Sequence, residues 1–165
     1  GRLVHTLLQW LPAAPIAVRA KRLTEYLAKP VHDLDAAAQA ALTGEVLAIL
    51  DHPDYAPLFG PDSRAEVSVT GEIVQADGTW VSVNGQIDRL VVLSDRVLIV
   101  DYKTNRPPPT TIEAVPPAYL RQLAMYRLLV QRLYPEKPVE TALLWTIDSR
   151  IMAIPAPVLD QYSVF

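Results

Sequence analysis

The chain reads VLIVDYK at residues 97–103, where four successive apolar side chains are followed by Asp-Tyr-Lys. Such an apolar run predicts a strand that is covered on both faces of a sheet. Aspartate and lysine are depleted from strands and are seldom buried without partners. Because side chains alternate along a strand, Asp101 and Lys103 should share one face, about 6.6 Å apart at ~3.3 Å per residue, while Tyr102 points the other way. This strand therefore predicts both the centre of the fold and a polar site at its end.

A second acid, Asp88, lies on the strand expected from about Trp80 to Leu93, which a turn at Ser94-Asp95 joins to the strand from Arg96 to Thr104. An even-numbered loop at this turn places Asp88 opposite Asp101, whereas an odd-numbered loop sends the two acids to opposite faces. Two carboxylates about 4.5–5.5 Å apart destabilise a sheet unless something offsets their repulsion. A divalent cation does so, because carboxylate oxygens are ligands that hard cations prefer. A lone Asp-x-Lys is typical of a surface ion pair, but the added Asp88 favours a metal site.

The rest of the chain predicts one α/β domain over residues 1–165, with a mixed central β-sheet flanked by helices and a helical segment at its N-terminal end. Residues 1–62 are mainly helical by their periodicity, and residues 65–155 form the sheet core. The expected helices cover residues 2–11, 16–28, about 34–50 (capped by Asp33 or Asp35) and 118–133, and further strands start at Ala65 and cover residues 139–147 and 151–155. Asp77-Gly78 is a strong hairpin-turn signal.

Composition excludes several classes of site. The chain has no cysteine, which excludes disulfides, thiolate catalysis and an iron–sulfur cluster, so a metal would be held by oxygen and imidazole. No G-x-x-x-x-G-K-[ST] phosphate loop is present, so we expect no nucleotide site or ATPase activity in this chain. No apolar run reaches the ~18 residues of a membrane span. The net charge of −3 leaves nucleic-acid binding open, because a bound cation reverses the local charge of its acidic ligands.

Four motifs in order resemble the RecB-type branch of the PD-(D/E)xK nucleases. They are Gly1-x-x-x-His5, GQIDRL at residues 85–90, IVDYKTN at residues 99–105, and Gln122-x-x-x-Tyr126. DYKTNRPPP at residues 101–109 and VPPAYLRQLAMY at residues 115–126 make the chain similar to the C-terminal nuclease domains of the AddA family, the helicase–nuclease subunits of bacterial AddAB complexes. The resemblance extends from Gly1 to about Ile154, and it implies a restriction-endonuclease-like core.

The resemblance also implies roles for individual residues. His5, Asp88, Asp101 and the backbone carbonyl of Tyr102 would hold a catalytic Mg²⁺, with Mn²⁺ as a substitute. Asp88, Asp101 and Lys103 would form the catalytic centre, in which Lys103 activates or positions the attacking water and stabilises charge on the phosphate. The remaining two motif residues, Gln122 and Tyr126, would organise the site and contact DNA.

Glu66 is a possible additional site residue, because the resemblance places an acid from the preceding strand in the site. A two-residue turn at Asp77-Gly78, however, pairs Glu66 with Arg89 and turns it away from Asp88. A bulge at Gly71 or Gly85 would reverse this, since glycine often marks a bulge. Without a bulge, Glu66 would be a surface acid paired to Arg89.

We therefore expect a divalent-metal-dependent deoxyribonuclease of the exonuclease type, belonging to a helicase–nuclease that processes broken DNA ends for recombination. The implied partners are DNA, an AddB-like subunit and helicase domains of the same polypeptide, in the bacterial cytoplasm at the nucleoid. The lack of an initiator methionine suggests a piece of a longer protein. The alternative is a non-catalytic DNA-binding or docking module that retains the nuclease fold; such a module would keep its function when Asp101 becomes alanine.

Overall fold

A computed structural model of the chain describes residues 1–75 and 77–162. The helices are α1 (Arg2–Trp10), α2 (Ile16–Leu27), α3 (Ala36–Leu50), α4 (Pro117–Leu133) and α5 (Ala156–Asp160). The strands are β1 (Ser63–Val74), β2 (Trp80–Val92), β3 (Val97–Lys103), β4 (Val139–Trp145) and β5 (Arg150–Ala153). Every helix and strand expected from the sequence is present with small shifts at its ends, and the short α5 is an element that the periodicity did not predict.

The five strands form one sheet in the order β1-β2-β3-β4-β5. β3 and β4 are parallel, and the other neighbouring strands are antiparallel. Parallel neighbours need a long crossover connection, which α4 supplies between β3 and β4. The sheet is therefore mixed and flanked by helices, which confirms the predicted fold class.

Both faces of the sheet are covered, and β3 lies at its centre. Val97 and Ile99 belong to the core that includes α4, whereas Leu98 and Val100 contact the opposite core, built from α1, α2 and α3. A strand with helices on both faces needs apolar side chains at successive positions. This double coverage accounts for the apolar run with which β3 begins.

The N-terminal helices pack as a layer against the face opposite α4. α3 begins after Asp35, whose carboxylate accepts a hydrogen bond from the Ala38 N–H at 2.7 Å. Asp35 is thus the capping residue, and Asp33, which has a φ of 49°, lies in the preceding connection. None of the helices that the structure describes has the length and apolar character to cross a bilayer.

The register between β1 and β2 differs from the prediction by one residue. Ala65, not Glu66, pairs with Arg89. The two strands close around a longer loop, in which the Gln75 N–H donates to the Thr79 carbonyl at 2.8 Å. The Asp77 carboxylate accepts hydrogen bonds from the Thr79 N–H at 2.9 Å and from its hydroxyl at 2.6 Å. These side-chain contacts stabilise the longer loop over the expected two-residue turn.

Two glycines allow α4 to pack closely on the β1–β2 hairpin. A Cβ atom at Gly85 would lie 2.4 Å from Cε1 of Tyr126, and one at Gly71 would lie 2.6 Å from Cδ2 of Leu129. Real side chains do not approach so closely, so a larger residue would force α4 away from the hairpin. Both glycines therefore serve close packing, and neither is needed as the bulge considered above.

We predict that Gly85→Ala lowers the free energy of unfolding by about 1–3 kcal/mol, because the added methyl group displaces the Tyr126 ring. Urea denaturation followed by circular dichroism measures this change. Gly44→Ala is the control, since no heavy atom lies within 4 Å of its Cβ position, and alanine in a helix should stabilise the chain by about 0.5–1 kcal/mol. Equal stability of Gly85→Ala and the unaltered chain would contradict the close approach of α4.

Candidate metal centre

The candidate site lies at a gap between β2 and β3. The four residue pairs of their ladder have the predicted register, and the ladder ends at the pair Arg89–Val100. One step further, Oδ2 of Asp88 accepts a hydrogen bond from the Tyr102 N–H at 2.6 Å. The carboxylate thus replaces backbone pairing at the position where Asp88 would have faced Asp101 in a continuous ladder.

His5 reaches the same carboxylate from α1. Three buried side chains fix α1 on the sheet, those of Val4, Leu7 and Leu8. This packing places Nδ1 of His5 at 3.2 Å from Oδ1 of Asp88, with the imidazole edge-to-face against the Tyr102 ring. The hydrogen bond to Asp88 raises the pKa of His5, and burial acts in the opposite direction. Asp88 therefore uses both of its oxygens to join α1 to β3.

Glu66 also lies at the site, although the register of a two-residue turn at Asp77-Gly78 would have turned it away from Asp88. The pairs Ala65–Arg89 and Val67–Ile87 flank it, so Glu66 lies opposite Asp88. Its φ of 53° is in the left-handed region, which costs a non-glycine residue on the order of 1 kcal/mol and is concentrated at functional sites. Burial, followed by the charge of Asp88, raises the pKa of Glu66.

The alternation of side chains in β2 breaks at the same step. Ile87 and Leu90 are three residues apart, yet both belong to the α4-side core. Asp88 and Arg89 both contact residues of α1 on the other side, His5 and Leu8 respectively. A regular strand cannot place side chains in this way. The register of β1 on β2 brings Glu66 and Asp88 to one side together, and the break in alternation after Asp88 turns Arg89 to the same α1 side.

His5, Glu66 and Asp88 form a group of potential metal ligands. One ligand atom from each lies within 4.8 Å of the others. These residues border a cleft of about 400 Å³ between α1 and the sheet. A larger cavity of about 580 Å³, beside the starts of β3 and β4 and the end of β5, is lined mainly by apolar side chains. We assign the chemistry to the smaller cleft, because among the described residues the convergent carboxylates and imidazole lie there.

Asp101 and Lys103 share one face of β3, as alternation predicts. Oδ2 of Asp101 lies 2.5 Å from Nζ of Lys103, and this ion contact is the only partner of that buried oxygen among the described residues. Asp101 is 2% exposed. Burial, and after it the charge of Asp88, raises the pKa of Asp101 to about 6 against the opposing effect of Lys103.

A chain of hydrogen bonds connects Lys103 to α4 and back to β2. Nζ of Lys103 donates to Oε1 of Gln122 at 2.9 Å, and Nε2 of Gln122 donates to the Tyr126 hydroxyl at 3.0 Å. The Tyr126 hydroxyl in turn donates to the Gln86 carbonyl at 2.8 Å. Gln122 and Tyr126 are one helical turn apart, so a single face of α4 holds both. The structure therefore brings the two residues of the last motif to the lysine.

The Tyr102 carbonyl points toward the gap. Lys103 turns its carbonyl to β4, where it accepts from the Thr146 N–H at 2.9 Å. Successive residues of a strand direct their backbone groups to opposite sides, and the Tyr102 N–H indeed points to Asp88. The carbonyl of Tyr102 shares that direction, and its role as a metal ligand stays a prediction.

Three contacts around the site were not predicted from the sequence. The Tyr119 ring lies 4.0 Å from Nζ of Lys103, a placement that its helical spacing from Gln122 could have indicated. The buried Arg89 donates to the Tyr102 hydroxyl at 3.0 Å. On α3, the buried Glu45 accepts from Arg106 at 2.7 Å and so holds the loop that follows β3. No local pattern marks the last two, because each partner lies on another element of the fold.

The residues present fit a divalent cation. The donor atoms are carboxylate oxygens and one imidazole nitrogen, which suit Mg²⁺ or Mn²⁺. Burial, and after it the charge of Asp88, raises the pKa of Glu66 and Asp101, and a cation bound beside them would favour their charged forms. His5 and Asp88 belong both to the convergent group and to the ligand set implied by the resemblance. Glu66, which the resemblance gave as a possible additional member, belongs to the convergent group, whereas Asp101 and the Tyr102 carbonyl are ligands by the resemblance alone.

We predict that Glu66→Gln weakens Mn²⁺ binding by about tenfold or more, equivalent to about 1.4 kcal/mol, because a charged ligand is lost at constant size. Isothermal titration calorimetry measures the affinity. Glu72→Gln, at an exposed position of the same strand, is the control and should bind Mn²⁺ as the unaltered chain does. Unchanged affinity in Glu66→Gln would remove Glu66 from the ligand set.

We further predict a pH-dependent stability in EDTA that depends on Asp101. Its pKa is raised from 3.8 to about 6 on folding, so the folded state binds the proton more tightly than the unfolded state. Proton binding by Asp101 therefore stabilises the folded state fully below about pH 4, and this stabilisation is lost as the pH rises through 6. Asp101→Asn should therefore gain stability relative to the unaltered chain over this window in urea denaturation. A stability difference between Asp101→Asn and the unaltered chain that does not vary with pH would contradict the raised pKa. The control is Asp95→Asn, which replaces an exposed acid.

Comparisons with known proteins identify the family. The sequence profile of the PD-(D/E)XK nuclease superfamily matches residues 1–161. No curated protein sequence matches the chain significantly. The crystal structure of SSO0001 is similar over 95% of this chain and 70% of its own, at 17% identity and a TM-score of 0.40, a likeness too distant to support a conclusion. Because the profile covers nearly the whole chain and the mixed sheet agrees with it, the chain belongs to the PD-(D/E)XK nuclease superfamily.

Proposed function

We propose that this chain hydrolyses phosphodiester bonds of DNA with a divalent cation, Mg²⁺ in the cell. The observation that carries the proposal is the convergence of His5, Glu66 and Asp88 within 4.8 Å. The ion pair of Asp101 and Lys103 belongs to the next strand of the sheet, across the gap. Membership of a nuclease superfamily whose members typically use divalent metals supports this reading of the site.

His5, Asp88 and Glu66 would hold the cation, with the Asp101 carboxylate and the Tyr102 carbonyl as further ligands from β3. When bound, a divalent cation lowers the pKa of water and offsets charge on the scissile phosphate. The Asp88 carboxylate is already fixed by the Tyr102 N–H, so one of its oxygens keeps a defined position. His5 must be neutral to act as a ligand, so the hydrogen bond to Asp88 that raises the pKa of His5 makes cation binding weaken as the pH falls.

Lys103 supplies the fixed positive charge. Its ammonium group contacts the Asp101 carboxylate, the Gln122 amide oxygen and the Tyr119 ring. An ammonium with three donors and a fixed position can donate to a phosphate oxygen and orient an attacking water. Gln122 and Tyr126 would act through this lysine, since their hydrogen bonds fix it relative to β2.

The finer assignment rests on the resemblance of the motifs. The order of Gly1-x-x-x-His5, Asp88, Asp101-x-Lys103 and Gln122-x-x-x-Tyr126 supports an exonuclease domain of an AddA-type helicase–nuclease. We infer a role in DNA-end processing for recombination, in the bacterial cytoplasm. An AddB-like subunit and helicase domains of the same polypeptide would deliver the DNA strand.

Cleavage of linear single- and double-stranded DNA tests this function. The unaltered chain should cleave with Mg²⁺ and not with EDTA. Asp101→Ala and Lys103→Ala should each reduce the rate by about 100-fold or more, as expected for groups that act on the reacting atoms. Asp95→Ala should retain the rate, because Asp95 is exposed and lies in the turn between β2 and β3.

Three results would contradict the proposal. Metal-independent cleavage that survives both substitutions would place the activity outside this site. A folded chain that binds neither Mn²⁺ nor DNA would leave no nuclease function to assign to it. DNA binding that is unaffected by Asp101→Ala, in a chain without cleavage activity, would instead support a docking module.

A further inference from the structure

The β1–β2 hairpin extends beyond β3 and leaves one of its faces uncovered. Past the end of the ladder with β3, the cross-strand pairs Ser68–Gln86, Thr70–Asn84 and Glu72–Ser82 follow one another toward the tip, where Val74 pairs with Trp80. All of these side chains are exposed. We call the six polar residues together with Trp80 the hairpin face.

The other side of the hairpin is packed, so the hairpin face is a supported surface. Val69 and Ile73 lie in the core shared with α4. Leu129 of α4 approaches Gly71 closely, and Arg132 donates a hydrogen bond to the Glu72 carbonyl. The hairpin therefore presents its open face to solvent while its other face packs against α4.

Trp80 is an unusual residue for an open surface. Its side chain is 64% exposed, whereas Trp145 is fully buried and Trp10 is half-buried against Tyr26. Single exposed apolar side chains are common on soluble proteins, but tryptophan is enriched among the residues that dominate binding interfaces. The cross-strand contact with Val74 explains part of the placement, because aromatic and β-branched pairs stabilise a hairpin. It does not explain the uncovered ring.

The hairpin face leads directly into the candidate metal centre. Ser68 and Gln86 are each two residues from Glu66 and Asp88, the two acids contributed by these strands. Asp88 continues the alternation of Ser82, Asn84 and Gln86 and contacts His5 on that side. Trp80 lies eight residues from Asp88, or about 26 Å at ~3.3 Å per residue. The polar side chains of the hairpin face thus form a continuous row from the Trp80 ring to Glu66 and Asp88 on one side of the sheet.

The chemistry of the hairpin face indicates what it binds. Five of its residues are neutral hydrogen-bonding side chains, Glu72 is its one charge, and it has no lysine or arginine. Neutral hydroxyl and amide groups are common donors to phosphate and sugar oxygens. An exposed indole ring stacks on any base whose face is free, which is the case in a single strand and not inside a duplex. A surface without cations makes a small contribution to salt-dependent binding.

We propose that the hairpin face is a track for single-stranded DNA, on which Trp80 stacks with a base and the polar row guides the backbone to the metal centre. This inference rests on the proposed nuclease function and names its substrate strand. It assigns binding to β1 and β2, outside the residues that the family motifs mark.

Fluorescence anisotropy with a labelled oligo-dT strand in EDTA tests the track without cleavage. Trp80→Ala should weaken binding by about tenfold, within the range of about 5- to 150-fold expected for one lost stacking contact. Trp80→Phe keeps a ring and should recover most of the affinity. The dependence of affinity on salt should be the same in Trp80→Ala and the unaltered chain, because no charge is removed.

Val74→Ala is the matched control for the hairpin itself. It removes the cross-strand neighbour of Trp80 and should lower stability while single-strand affinity is retained. Equal affinity of Trp80→Ala and the unaltered chain would overturn the track and leave the proposed function standing. A loss in Val74→Ala as large as that in Trp80→Ala would also overturn it, since the effect would then be structural. A chain that neither binds nor cleaves DNA would overturn the proposed function and the track with it.

Discussion

The convergence of partly buried carboxylates beside the gap between β2 and β3 is the constraint on which the rest of the structure depends. Glu66, Asp88 and Asp101 come from three successive strands, and burial together with the charge of Asp88 raises the pKa of the other two. Helices on both sides of the sheet hold this arrangement. α1 brings His5 to Asp88, and α4 holds Lys103, which pairs with Asp101. The cores on the two faces supply the burial that fixes both helices, so the fold stabilises a cluster of acids that a cation would neutralise.

Much of this arrangement could be predicted from the sequence, because it depends on local periodicity. The apolar run of residues 97–100 predicts a doubly covered strand, and alternation places Asp101 and Lys103 together. A two-residue turn at Ser94-Asp95 gives the observed register of β2 on β3. The four-residue spacing of Gln122 and Tyr126 predicts one helical face, and in the structure both reach the lysine through hydrogen bonds.

The remainder depends on contacts that periodicity does not record. The β1–β2 register was predicted wrongly by one residue, because the Asp77 carboxylate stabilises a longer loop through Thr79. The left-handed backbone of Glu66 breaks the alternation on which any prediction of its face depends. Arg89 donates a hydrogen bond to the Leu8 carbonyl, which is 81 residues away in sequence. Glu45 accepts one from Arg106, which is 61 residues away. Sequence patterns therefore predict which side chains the strands carry, and the distortions that bring them together require the folded structure.

Anomalous scattering from crystals of the chain grown with Mn²⁺ tests most directly whether the acids at the gap form a cation site. We expect one strong peak in the cleft beside α1, at about 2.0–2.3 Å from oxygen atoms of Asp88 and from a nitrogen atom of His5. The same map distinguishes Glu66 from Asp101 as the further carboxylate ligand. Absence of a peak in this cleft, with Mn²⁺ bound only by exposed acids elsewhere, would contradict the metal centre and the hydrolytic function proposed from it.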